Sequence, residues 1–159
     1  MDALDPYFFT DLPNKIFDGV SQFVIETAGI DSAVREYADR MGIGPWWVGP
    51  LQPPEMRDTM YYGKPEECVL KIAIAFTGPI QWVLVEPKTG KSIYMDFLKE
   101  KNGGIHYVTL THGDIPWEEV TKRLQQRGYE CITTGRYGGN RWFNWKAGEP
   151  TPVTFEALV

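Results

Sequence analysis

Apolar residues along this chain fall into short runs whose period changes from two to about 3.6 and back. In VSQFVIE, residues 20–26, alternation puts Val20, Gln22 and Val24 on one side and Ser21, Phe23 and Ile25 on the other. Nearly every position is apolar, so this predicts a strand covered on both faces, with Gln22 a buried amide that needs a partner. The period then lengthens. Val34, Tyr37, Ala38 and Met41 share one helical face, with Asp31 as the expected cap and Gly42 as the stop. A short strand through Trp46, Trp47 and Val48 ends at Gly49-Pro50, and residues 50–56 read as loop. Residues 68–76 and 80–86 are strands hinged at Gly78-Pro79. The order is β-α-β-β-β.

Ser92 caps a predicted connecting helix whose buried stripe is Ile93, Tyr94, Phe97 and Leu98, ended by Gly103. After it the same order recurs. Strand 105–110 carries His106 and Val108 on one face, helix 116–127 buries Trp117, Val120 and Leu124, and strands follow at 129–135, 141–146 and 153–159. Such recurrence predicts an internal duplication in which Gln22 and His106 hold corresponding places. The expected organisation is an N-terminal arm, 1–16, followed by one domain, 17–159. That domain divides into module one (17–90), a linker helix (91–103) and module two (104–159). Neither module alone covers both faces of its sheet. The fold class is therefore α+β: two βαβββ modules side by side in an eight-stranded half-open barrel, helices outside, around a shared concave surface.

Composition narrows the function. A chain of 159 residues, 43% apolar and 23% charged, suits one globular domain. The net charge of −5, with no basic run, argues against a nucleic-acid partner. Apolar runs are too short to cross a membrane, and the acidic, Pro-containing start is no secretory signal. Cys68 and Cys131 lack any CxxC spacing and read as buried thiols rather than a disulfide or zinc site. A cytoplasmic protein is expected. Aromatic residues make up 14% of the chain, enough to line a pocket as well as a core.

Four stretches, SAVREYADRMGIGPWW, WVLVEPKTGKSIYMDFLKE, GGIHYVTL and GRYGGNRW, resemble the vicinal-oxygen-chelate (glyoxalase/bleomycin resistance/dioxygenase) family. The likeness is greatest to its methylmalonyl-CoA-epimerase-like and glyoxalase-like branch, and it runs from about Phe17 to the C-terminus. The resemblance implies four side chains, one from each of four strands, around a divalent metal. The corresponding residues here are Gln22, Val83, His106 and Glu156, so the first position is altered and the second lost. The resemblance thus leaves two expectations: a divalent ion held by His106, Glu156 and Gln22, or a site that works without metal.

His106 with Glu156 is the candidate catalytic pair, because an imidazole oriented by a carboxylate is a serviceable general base. Gln22, Gln81 and Asn144 are candidate amide ligands for substrate oxygens, and Trp47, Tyr62 and Trp142 are candidate aromatic walls. The function expected is a small-molecule isomerase or lyase of small-molecule or secondary metabolism. It would move a proton next to a carbonyl or rearrange an oxygenated ring. The alternatives are a metal-free sequestering protein of the bleomycin-resistance type and a metal-dependent ring-cleaving dioxygenase. The aromatic arm would suit a homodimer contact.

Overall fold

A computed structural model describes residues 14–148 and 153–159. Module one runs β1 (Gly19–Glu26), α1 (Ile30–Met41), β2 (Trp47–Leu51), β3 (Met56–Tyr61), β4 (Lys64–Pro65), β5 (Val69–Thr77) and β6 (Ile80–Thr89). The linker helix is α2 (Ile93–Lys101). Module two runs β7 (Gly104–Thr111), α3 (Trp117–Gln126), β8 (Glu130–Tyr137), β9 (Asn140–Ala147) and β10 (Val153–Leu158).

One curled mixed sheet contains all ten strands, in the order β2-β5-β6-β1-β7-β10-β9-β8-β3-β4. Its centre has an internal two-fold relation. β1 pairs parallel with β6 and β7 parallel with β10, while β1 and β7 meet antiparallel at the seam. Alternation sends one side of each strand inward, to the cluster of Val24, Leu70, Ile72, Val85, Tyr107 and Trp142. The other side packs outward under the helices. Ile25, Ala73 and Leu84 lie beneath α1, anchored by Ile30, and Trp145 and Phe155 lie beneath α3 with Val120 and Leu124. This double coverage explains why β1, β5 and β6 read as continuous apolar runs.

Ten strands among the described residues correct the expected eight. The extra pair, β3 and β4, occupies a stretch where Pro53, Pro54 and the charged residues around them mask any alternation. The hairpin leaves module one and adds to β8 at the edge of module two. Met56 is buried in the inner core and Leu51 packs against it, so burial of apolar side chains decides the crossing. Asp31 does not cap α1. Gly29 holds the cap position and Asp31 lies in the first turn, 2.8 Å from Lys71 Nζ. Ser92 caps α2 as predicted, accepting from the Met95 N–H. Most of the arm, including Tyr7–Phe9, lies outside the described residues. Its end does not: Ile16 is buried on the α3 side, and Phe17 meets Phe155 edge-on with ring centroids 5.1 Å apart.

Candidate functional site

The seam between modules carries the polar centre of the barrel. Gln22 on β1 lies in register with Gln81 on β6, and Thr109 on β7 with Glu156 on β10. Gln22 and Thr109 also face each other across the antiparallel pair, so the four side chains gather around the internal axis. They bond to one another. The Gln22 amide donates to Gln81 Oε1. Thr109 Oγ lies 2.8 Å from Gln22 Oε1 and 2.9 Å from Glu156 Oε1. Tyr107 Oη donates to Glu156 Oε2 at 3.2 Å, and Tyr94 Oη lies 3.2 Å from Tyr107 Oη. Burial pushes both phenols well above their ordinary range, which keeps them protonated as donors.

Among the described residues, Glu156 is the only carboxyl here. Burial raises its pKa to about 7, against the opposing pull of the Thr109 and Tyr107 hydroxyls and the adjacent Asn144 amide. The Thr109 hydroxyl has one proton for two acceptors. When it donates to Gln22, its contact with Glu156 requires a protonated carboxyl. When it turns to Glu156, the carboxylate is served instead. Rotation of one hydroxyl therefore accommodates both states of Glu156.

Above this group opens a cavity of about 310 Å³. Leu70, Ile72, Ile74, Val83, Val85 and Trp142 form apolar walls, Gln22, Gln81, Tyr94, Tyr107 and Glu156 its polar floor, and Tyr137 and Asn140 further polar lining. Trp142 can lie along the wall because Gly135, opposite it on β8, has no side chain; a Cβ there would collide with the indole.

His106 does not stand in this cavity. Two glycines open β7, Gly103 and Gly104, with φ of 108° and 116°. A bulge follows, leaving His106 as the extra residue between Ile105 and Tyr107 in the pairing with β1. That shift gives the inward places to Tyr107 and Thr109, and it corrects the expected correspondence of Gln22 with His106: the partner across the axis is Thr109. His106 bonds instead through Nδ1 to Glu26 Oε1 at 2.6 Å, and its ring stacks on Phe97 with centroids 4.3 Å apart. So Glu26, not Glu156, is the carboxylate that orients His106. Glu26 is itself raised by burial, opposed by its bond to His106.

The other candidates divide. Gln22, Gln81, Trp142 and Glu156 line the cavity. Asn144, in register with Glu156, is fully buried beside it but lies outside the lining, and its amide has no hydrogen-bond partner among the described residues. Trp47 is 52% exposed and Tyr62 45% exposed. Tyr62 lines a separate cleft with His106 and Phe97. Thr109, Tyr107, Tyr94 and Glu26 were missed. Glu26 had a signal, as an acid at even spacing from Gln22 and Val24 at the end of an apolar strand. For Thr109 and Tyr107 the bulge hid the signal.

The residues at the axis do not fit a firmly held divalent ion. Two amides, one hydroxyl and one carboxyl are weak donors together, and they are bonded to each other. No three His, Cys, Asp or Glu side chains converge among the described residues.

The sequence profile of the Glyoxalase/Bleomycin resistance protein/Dioxygenase superfamily matches residues 21–145. The chain belongs to that superfamily. Its fold is shared with methylmalonyl-CoA epimerase from Mycobacterium tuberculosis, at 18% identity and a TM-score of 0.67, over 93% of this chain and 91% of that one. A hypothetical protein from Bacillus halodurans C-125 aligns at 19% identity and 0.61, over 88% and 92%. Streptomyces coelicolor methylmalonyl-CoA epimerase, in complex with 2-nitronate-propionyl-CoA, aligns at 14% identity and 0.65, over 89% and 96%. No curated protein matches the chain in sequence. No helix among the described residues is long and apolar enough to cross a membrane.

Proposed function

We propose that this superfamily member is a metal-independent small-molecule enzyme of the isomerase type, transferring a proton next to a carbonyl group with Glu156 as the acid/base. The observation that carries this reading is a buried carboxyl with a pKa of about 7, inside an apolar cavity and beside a hydroxyl that serves either protonation state. A general base works best when its pKa lies near the working pH. As carboxylate, Glu156 takes the proton, and Thr109 and Tyr107 turn their hydroxyls to it. The amides of Gln22 and Gln81 supply N–H groups for the oxygen on which negative charge develops. His106 stays outside this chemistry because its Nδ1 is committed to Glu26. The donor set gives no support to a ring-cleaving metal oxygenase.

The test is solvent deuterium uptake. Small ketones, aldehydes and acyl-CoA thioesters, the last because structural neighbours bind them, are incubated in D2O and analysed by mass spectrometry. A true substrate gains deuterium at the carbon beside the carbonyl, and the rate rises with pH to a plateau above about 7, as Glu156 ionises. Glu156→Gln keeps the shape and should slow exchange by about 10²-fold or more. Exchange at the wild-type rate in that variant would remove Glu156 from the mechanism.

One observation favours a second reading: Gln22, Gln81, Thr109 and Glu156 are already linked to each other by hydrogen bonds, so an apolar ligand is held without chemistry. Such a sequestering protein would return its ligand unchanged and undeuterated.

A further inference from the structure

We infer that the Glu156 cavity takes an uncharged carbonyl compound with an apolar body and excludes carboxylates, the methylmalonyl group among them. This deepens the proton-transfer reading and rests on it. The argument is an inventory of charge. Among the described residues, none lining the cavity is Lys, Arg or His, and the one carboxyl there is Glu156. A ligand carboxylate entering here would leave water without a cation to meet it, and would stand beside an acidic side chain. The missing charge is not supplied by a metal either, since Gln22, Gln81 and Thr109 are neutral and bonded among themselves.

Cationic side chains line other surfaces. Lys101 and Lys146 line the separate cleft of His106, and Arg57, Arg136 and Arg141 line a groove at the β3–β8 edge. What the cavity does offer is neutral. Gln81, having accepted from Gln22, keeps its own NH2 group free of any described partner. Protonated, Glu156 is a second donor. Both suit a carbonyl oxygen. The walls of Leu, Ile, Val and Trp suit a hydrocarbon body. Ionisation of Glu156 as pH rises makes the cavity still less hospitable to an anion.

The experiment compares three probes of one shape: 2-phenylpropanal, 2-phenylpropanamide and 2-phenylpropanoate. Their binding to the intact chain is followed by ligand-detected NMR at pH 8. The aldehyde and the amide should bind about 100-fold more tightly than the carboxylate, as expected for an unpaired charge in such a site. Gln81→Arg, which places a cation at the axis, should narrow that ratio about tenfold or more. Equal or tighter binding of the carboxylate, or binding by none of the three, overturns the inference. The two readings separate cleanly. Uncharged probes that bind but never exchange deuterium would sink the enzyme and leave the ligand class standing. Glu156-dependent exchange on methylmalonyl-CoA would do the reverse.

Discussion

Two glutamates, Glu26 and Glu156, lie buried on inward faces of the same sheet, 1% and 6% exposed, and burial raises the pKa of both. Their partners differ. Glu26 is bound to one imidazole, which is itself clamped against Phe97. Glu156 is met by the Thr109 and Tyr107 hydroxyls, with the Asn144 amide beside it, and opens onto a cavity. A carboxylate tied to an imidazole becomes part of the frame that sets the start of β7 against β1. A carboxyl served by rotating hydroxyls can exchange its proton without disturbing its neighbours. The sequence motif around His106 thus leads to a structural pair, and the position proposed to react lies one strand further on, on β10.

The largest expected effect tests the structural half of this contrast. Glu26→Ala leaves His106 without its partner in a site 9% exposed at the imidazole, and should cost about 3–5 kcal/mol, the usual penalty for breaking a buried pair. Urea unfolding measures it. A loss under about 1 kcal/mol, the scale of an exposed pair, would mean that the pair contributes nothing special to the fold.

The next effect is on the pH dependence of stability, and its sign follows from linkage. Glu156 binds its proton more tightly in the folded chain than at its ordinary value of 4.5. The folded state is therefore favoured at low pH, and that contribution is lost as pH rises from 4.5 to about 7. The shift corresponds to about 3 kcal/mol. Glu26, also raised, adds a trend of the same sign, so the quantity to measure is the difference between wild type and Glu156→Gln across this window. A difference that stays flat would place the Glu156 pKa near that of an ordinary carboxyl and end the contrast.

Much of this arrangement was readable beforehand. Alternation located β1, β5, β6 and β7, the helical stripes located α1 to α3, and together they anticipated an α+β fold with a curled sheet. Gln22, Gln81 and Glu156 were singled out and do meet at one cavity. What escaped was whatever depends on breaks in the period. Strict alternation through IHYVTL puts His106 and Val108 together, and one bulge hands the inner face to Tyr107 and Thr109. No local pattern announces a bulge whose cause is the register of the opposite strand. The β3–β4 hairpin escaped for a related reason, since its pairing partner β8 lies far along the chain.

The smallest effect bears on Thr109, which separates a proton-exchanging site from a merely buried one. Thr109→Val preserves volume and removes the hydroxyl that lies between Gln22 and Glu156. The stability cost should be about 1–2 kcal/mol, the range for a lost buried hydrogen bond. The more telling change is in titration. The Thr109 bond favours the carboxylate and holds the Glu156 pKa down against burial. Without it, the midpoint should move above about 7, in the carboxyl carbon signal by NMR and in the pH profile of deuterium exchange alike. Thr109→Ser retains the hydroxyl and should restore both. A midpoint that does not move in the Val variant would show that the Thr109 proton is held by Gln22 throughout. Glu156 would then titrate without help from that hydroxyl, and the rotating Thr109 would drop out of the contrast with Glu26.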